Sequence, residues 1–159
     1  MKNIFFSIVT AILAGTDLWL KSRVEKEFSG SDKKSICGGK VELRKCHNKG
    51  MAMSIGEKKP KLVRGVTIAS GILGSMYVVL YGMKESCPWK KLGAAMVLAG
   101  AISNTYDRVK RKYVVDYFGF KSKWEKLNRL TFNLADMFLF AGSALMLVAE
   151  VVGWMRVKK

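Results

Sequence analysis

The chain has 159 residues, half of them hydrophobic, and a formal net charge of +16. That length suits one domain, and the apolar residues gather in blocks where a soluble amphipathic fold would spread them. Three cysteines without C-x-x-C spacing and a single histidine leave no zinc-ligand set and weigh against metal catalysis.

In a soluble chain so basic a balance would point to nucleic acid. Here the charge lies between apolar blocks, so an anionic lipid surface or an acidic partner accounts for it equally well, and a nucleic-acid binder would leave those blocks unexplained.

The first apolar run, Ile4 to Leu20, follows Met1-Lys2-Asn3 and has the basic start of a secretory signal peptide. It continues through Asp17-Leu18-Trp19-Leu20 to Lys21 without a small-x-small cleavage site, which predicts an uncleaved spanning helix. Asp17 and Lys21 stand four apart, so on that helix they share a face and can pair. Residues 21–61 are polar, basic and extramembrane, with turns expected at Gly38-Gly39, Gly50 and Gly56. Lys40-Val41-Glu42-Leu43-Arg44 alternates as a short strand would, so a small sheet is expected there. Cys37 and Cys46 share this segment and could pair if it faces an oxidising space, and three free thiols is the simpler reading.

Further spans are expected over 62–83, 92–106 and 130–155, each able to cross most or all of the hydrocarbon layer. The third is rich in Gly93, Ala94, Ala95, Ala99, Gly100 and Ala101, and the fourth carries Ala141, Gly142, Ser143 and Ala144. Such small residues let helices approach closely. A basic connection, Arg108 to Arg129, joins these two spans, and Glu150 is expected to be solvated. Trp19, Trp89, Trp124 and Trp154 fall at span ends, where amphipathic rings sit at headgroup level. The expected fold is an all-α membrane protein, a four-transmembrane-helix bundle in a single domain (1–159), with a small extramembrane β-sheet after the first helix.

Two copies of N-x-x-D, Asn104 with Asp107 and Asn133 with Asp136, flank the last two spans. Carboxylates at the rim of an apolar span are costly, which makes them functional candidates. Helix order places Asp17, Asp107 and Asp136 on one membrane face, together with the segment 48–54. Two close carboxylates in a poorly hydrated site share a proton and titrate as a pair. The ionised member can then activate water while the protonated member polarises a carbonyl. Two other readings remain: the aspartates cap helices or pair with Arg108 and Lys21, or they line a proton or cation path in a small conductor.

Taken together, these residues resemble the lipoprotein signal peptidase (signal peptidase II) family of bacterial membrane aspartyl peptidases. Asp17-Leu18-Trp19-Leu20-Lys21 matches D-x-x-x-K, and Asn48-Lys49-Gly50-Met51-Ala52 is similar to N-x-G-x-A. Asn104-Thr105-Tyr106-Asp107-Arg108 matches N-x-x-D-R, Val114-Val115-Asp116-Tyr117 matches V-V-D-[FY], and Phe132-Asn133-Leu134-Ala135-Asp136 matches F-N-x-A-D. Leu18 and Ser103 stand where the family often has Gln and Gly, and Met51 and Met53 flank Ala52 where Ala and Phe are common.

The resemblance implies Asp107 and Asp136 as the catalytic pair. Asn104 and Asn133 would orient it, and Asp17, Lys21, Asn48, Gly50, Ala52, Arg108, Asp116 and Ala135 would support the pocket. It implies a diacylglyceryl-modified prolipoprotein as substrate, no cofactor, a monomer among membrane lipids, no nucleic acid, and an active site at the outer face of the bacterial cytoplasmic membrane. Charge argues the other way on orientation. Basic residues crowd 21–64 and 108–129, whereas Lys2, Lys84, Lys90, Lys91, Arg156, Lys158 and Lys159 lie on the opposite side. The positive-inside rule alone would turn the chain over.

Overall fold

A computed structural model describes residues 2–50, 59–85 and 87–157. Helix α1 (Lys2–Glu27) leads into strand β1 (Lys33–Ile36), a 3-10 turn (Cys37–Gly39) and strand β2 (Val41–Asn48). Helices α2 (Pro60–Lys84) and α3 (Pro88–Lys110) follow, then strand β3 (Val114–Phe120), a short helix α4 (Glu125–Arg129) and helix α5 (Leu134–Val157). Proline stands in the first turn of both α2 and α3, where its missing N–H costs nothing.

Among the described residues, three helices are long and apolar enough to cross a membrane: Asn3–Glu27, Lys61–Lys84 and Leu134–Arg156. Helix α3, expected as a further span, is 23 residues long but is not one of them. Its C-terminal turns hold Ser103, Asn104, Asp107 and Arg108, which lower its hydropathy. It is instead the hub of the bundle, packed against α1, α2 and α5. Ala94, Ala95, Leu98 and Ala99 of α3 are buried, and the first three pack with Phe6 and Val78. By contrast α2 and α5 turn Ile72, Leu73, Met76, Phe140, Leu147 and Val148 outward.

The small residues set the closeness of α3 and α5. A Cβ on Gly142 would lie 2.6 Å from the Gly93 carbonyl oxygen, and one on Gly93 would lie 2.8 Å from that of Gly142. About two turns further along, a Cβ on Gly100 would meet the Ala135 carbonyl oxygen at 2.5 Å. Backbone meets backbone here, so no larger residue fits without separating the helices.

The sheet is antiparallel, in the order β1-β2-β3. It draws its third strand from the connection before α5, where the sequence suggested only a basic linker. The signal was present in Val114-Val115-Asp116-Tyr117-Phe118, a β-branched and aromatic run. Leu43 pairs with Phe118, Cys46 with Asp116 and Asn48 with Val114, with a register shift between Leu43 and Cys46. Val115 and Tyr117 pack onto Val24 and Leu20 of α1 and onto Phe28 just beyond it. That packing explains why α1 runs on to Glu27: its last two turns are the floor for the sheet.

Other expectations meet local detail. Gly38 and Gly39 take positive φ, 64° and 83°, in the turn between β1 and β2. Cys37 is a free thiol, so the disulfide with Cys46 is not formed. Glu150 is exposed, yet it pairs with Lys90 across α5 and α3 at the end of the bundle away from the sheet. The four tryptophans are all exposed.

Candidate active site

Asp17 and Lys21 form the expected ion pair on α1 at 2.8 Å, with both side chains fully buried. The pair is one edge of a larger cluster. Lys21 Nζ lies 3.4 Å from Asp107 Oδ2 and donates to Ser103 Oγ at 3.1 Å, while Ser103 Oγ donates to Asp17 Oδ2 at 2.6 Å. The other Asp17 oxygen accepts from the Tyr117 hydroxyl at 2.9 Å. Burial, and then the charge of Asp17, push that hydroxyl above the usual tyrosine range, so it stays a donor. It also accepts from the Leu134 backbone N–H at the start of α5.

Asp107, assigned to the catalytic pair above, belongs to this cluster. Its Oδ1 is ion-paired to Arg111, which also donates to Ser22. Its Oδ2 faces Lys21 and accepts from the Val115 backbone N–H at 3.1 Å. Two cations offset the charge, and the side chain is fully buried. It does not line the cavity at this end of the bundle.

A different pair does. A cavity of about 460 Å³ is lined by Asp116, Asp136, Asn48, Asn104 and Arg108, with apolar walls that include Phe132 and Phe140. Asp136 Oδ1 accepts from the Asn104 amide at 2.9 Å, and its Oδ2 accepts from the Asn133 backbone N–H at 3.1 Å. Asn133 Oδ1 in turn accepts from the Asp136 backbone N–H at 2.9 Å. This reciprocal bonding is a capping box at the start of α5. Asn133 is therefore the residue before the helix and Asp136 lies in its first turn, whereas Asn104 and Asp107 both sit inside α3.

Asp116 is held in the same manner. Its Oδ1 accepts from the Asn133 amide at 2.7 Å and its Oδ2 from the Asn48 amide at 3.1 Å. Asn48 reaches it diagonally across β2 and β3, because Asn48 pairs with Val114 and Asp116 with Cys46. Asn48 Oδ1 accepts from the Gly50 N–H at 3.0 Å, a turn that fixes which end of the amide faces Asp116. Burial first, and then the Asp136 charge, push the Asp116 carboxyl up to about 7, against the pull of Asn48 and Asn133. Asp116 thus carries a proton near neutrality.

Asn133 touches both carboxylates, which joins them into one unit. Lys21 links the two groups of residues by donating to Asn104 Oδ1 at 2.8 Å. A lysine ammonium has no acceptor, so this bond fixes the Asn104 amide nitrogen toward Asp136. Among the expected site residues, Ala135 is buried behind the pair and Gly50 closes the Asn48 turn. Ala52 lies outside the described residues. Ser103, Tyr117 and Arg111 were not expected at the site. Ser103 was visible in the sequence only as an unusual polar residue before N-x-x-D-R.

Two carboxylates held by amides at the rim of a helical bundle that presents apolar helices to a membrane define a membrane aspartic peptidase. Residues 9–152 match the model of the family described as Signal peptidase (SPase) II. Proteins named lipoprotein signal peptidase are similar along most of the chain. The one from Streptococcus pneumoniae is 28% identical over 93% of this chain and 93% of its own, and the one from Enterococcus faecalis is 31% identical over 87% and 83%. A third, from Brucella ovis, is 37% identical over 73% and 71%. Two solved bacterial membrane enzymes share the fold with TM-scores of 0.81 and 0.77, each at 19% identity, covering 92% and 91% of this chain and 87% and 91% of theirs. The chain belongs to the signal peptidase II family, and this sets aside the conductor reading.

Proposed function

We propose that the protein removes signal peptides from diacylglyceryl-modified prolipoproteins, with Asp116 and Asp136 as the catalytic pair. One observation carries the assignment: these two carboxylates share a cavity and an asparagine, while Asp107 is neutralised outside it. The role that the sequence motifs suggested for Asp107 passes to Asp116, and Asp107 becomes a support that anchors the turn into β3.

In this mechanism one carboxylate is ionised and takes a proton from water, and the other is protonated and hydrogen-bonds the scissile carbonyl. The water oxygen bonds to the carbonyl carbon, the C–N bond then breaks, and the departing amine takes up a proton. Asn104, Asn133 and Asn48 hold the carboxylates in place without neutralising either. The apolar walls suit a signal peptide and acyl chains.

We place all four long helices across the cytoplasmic membrane as one domain and one monomer, with α3 shielded by the other three and the sheet on the outer surface. The basic segments around the sheet then lie against anionic headgroups, which offsets the charge argument for the reverse orientation. No cofactor is required.

The test uses purified full-length protein and a lipid-modified precursor. Asp116→Asn and Asp136→Asn should each abolish cleavage while folding normally. Asp107→Asn should lose thermal stability yet cleave per folded molecule. Cleavage by Asp116→Asn at the native rate would return the role to Asp107.

A further inference from the structure

Among the described residues, Lys21, Arg108 and Arg111 carry positive charge into the interior beside the aspartates, and two of them are fully committed. Lys21 pairs with Asp17 and Asp107, and Arg111 pairs with Asp107. Arg108 is different. It is half-buried on the cavity wall, it forms no ion pair among the described residues, and its one hydrogen bond is to the Asn104 carbonyl at 3.3 Å. A guanidinium has five N–H donors in a rigid fork. Among the described residues most of those donors therefore have no partner, in a cavity that already holds Asp116 and Asp136.

We propose that Arg108 is the receptor for the carboxylate that cleavage creates at the end of the released signal peptide. The inference rests on the peptidase reading. Hydrolysis converts a neutral amide into a carboxylate and an ammonium, so an anion appears beside a catalytic pair that is itself negatively charged. Asp116, Asp136 and Asp107 all act electrostatically on Arg108, and Lys21 and Arg111 are held on the far side by their own partners. The remaining cation is Arg108, and its fork matches two carboxylate oxygens. A diacylglyceryl group carries no charge, so the lipid part of the substrate gives such a fork nothing to pair with.

The probe is a synthetic signal peptide ending at the cleavage position, prepared as the free acid and as the carboxamide. Each displaces a fluorescent carboxamide peptide from full-length protein in detergent near neutral pH, a measurement that needs no turnover. Wild-type protein should bind the acid at least about tenfold more tightly than the amide, the scale of a charge-assisted pair over a neutral one. Arg108→Gln should bring the ratio to about one with the carboxamide affinity unchanged, and Arg108→Lys should keep part of the preference. A loss of fold would weaken both peptides together and leave the ratio intact. Equal binding of acid and amide by an active wild-type enzyme, or an unchanged ratio in an Arg108→Gln protein that keeps the wild-type carboxamide affinity, overturns the assignment. Wild-type protein that leaves a lipid-modified precursor uncleaved overturns the peptidase reading instead.

Discussion

Two groups of aspartates lie side by side at one end of the bundle, and they are held in opposite ways. Asp17 and Asp107 are compensated by cations, Lys21 and Arg111, and are fully buried away from the cavity that the other pair lines. Among the described residues, Asp116 and Asp136 receive N–H donors from Asn48, Asn104 and Asn133 and no ion pair, and they face a cavity. In a buried ion pair, removing either charge strands the other. An amide holds a carboxylate in place without fixing its proton. The first arrangement builds a foundation, and the second leaves a proton free to be traded.

That contrast can be broken most decisively at the cavity. Asp136→Asn should lower kcat by on the order of 10³-fold or more, measured with a lipid-modified precursor, with unfolding temperature unchanged. An equal fall in Asp107→Asn without loss of stability would erase the distinction between the groups. Next in size, Lys21→Met leaves Asp17 and Asp107 buried against one fewer cation and should cost roughly 3–5 kcal/mol, read from unfolding in detergent. A Lys21→Met protein as stable as wild type would show that the foundation carries no weight.

Gly142→Val should cost about 1–3 kcal/mol, because its side chain would meet the Gly93 carbonyl and force α3 from α5. Activity should fall with it, since Asn104 and Asp136 meet across that same pair of helices. The smallest effect is the sharpest. Asp116 must lose its proton to ionise, so with its carboxyl near 7 the protonated member of the pair disappears as pH rises through 7, and kcat/KM should fall on that basic limb. Asn48 donates to the ionised form, so Asn48→Ala should move the limb to higher pH by about one unit. A limb that stays put would mean that Asp116 is not the group being titrated.

Much of this frame was legible beforehand. Apolar blocks and glycine-rich faces read through to α1, α2, α5 and the contact of Gly93 with Gly142, because both rest on local composition. The Asp17–Lys21 pair followed from helical spacing alone. The division of labour among the aspartates did not. Asn104-x-x-Asp107 and Asn133-x-x-Asp136 look alike in sequence, but one lies within α3 and the other closes the first turn of α5. The first therefore sends its two side chains to different partners, while the second folds back on itself. Asp116 was quoted in its motif and given a supporting role, because nothing in a linear reading reveals that β3 carries it beneath Asn133. The register of β2 against β3, which brings Asn48 there too, depends on a bulge that no local pattern announces.

Asn133 donates to Asp116 and caps the helix that holds Asp136. It is supplied by the last third of the chain, while Lys21 and Asn48 come from the first. During synthesis, then, the membrane can receive α1, the sheet's first strands, α2 and α3 before any competent site exists. The cluster of carboxylates and amides is complete only when the final helix has been made and its first turn closes over the strand.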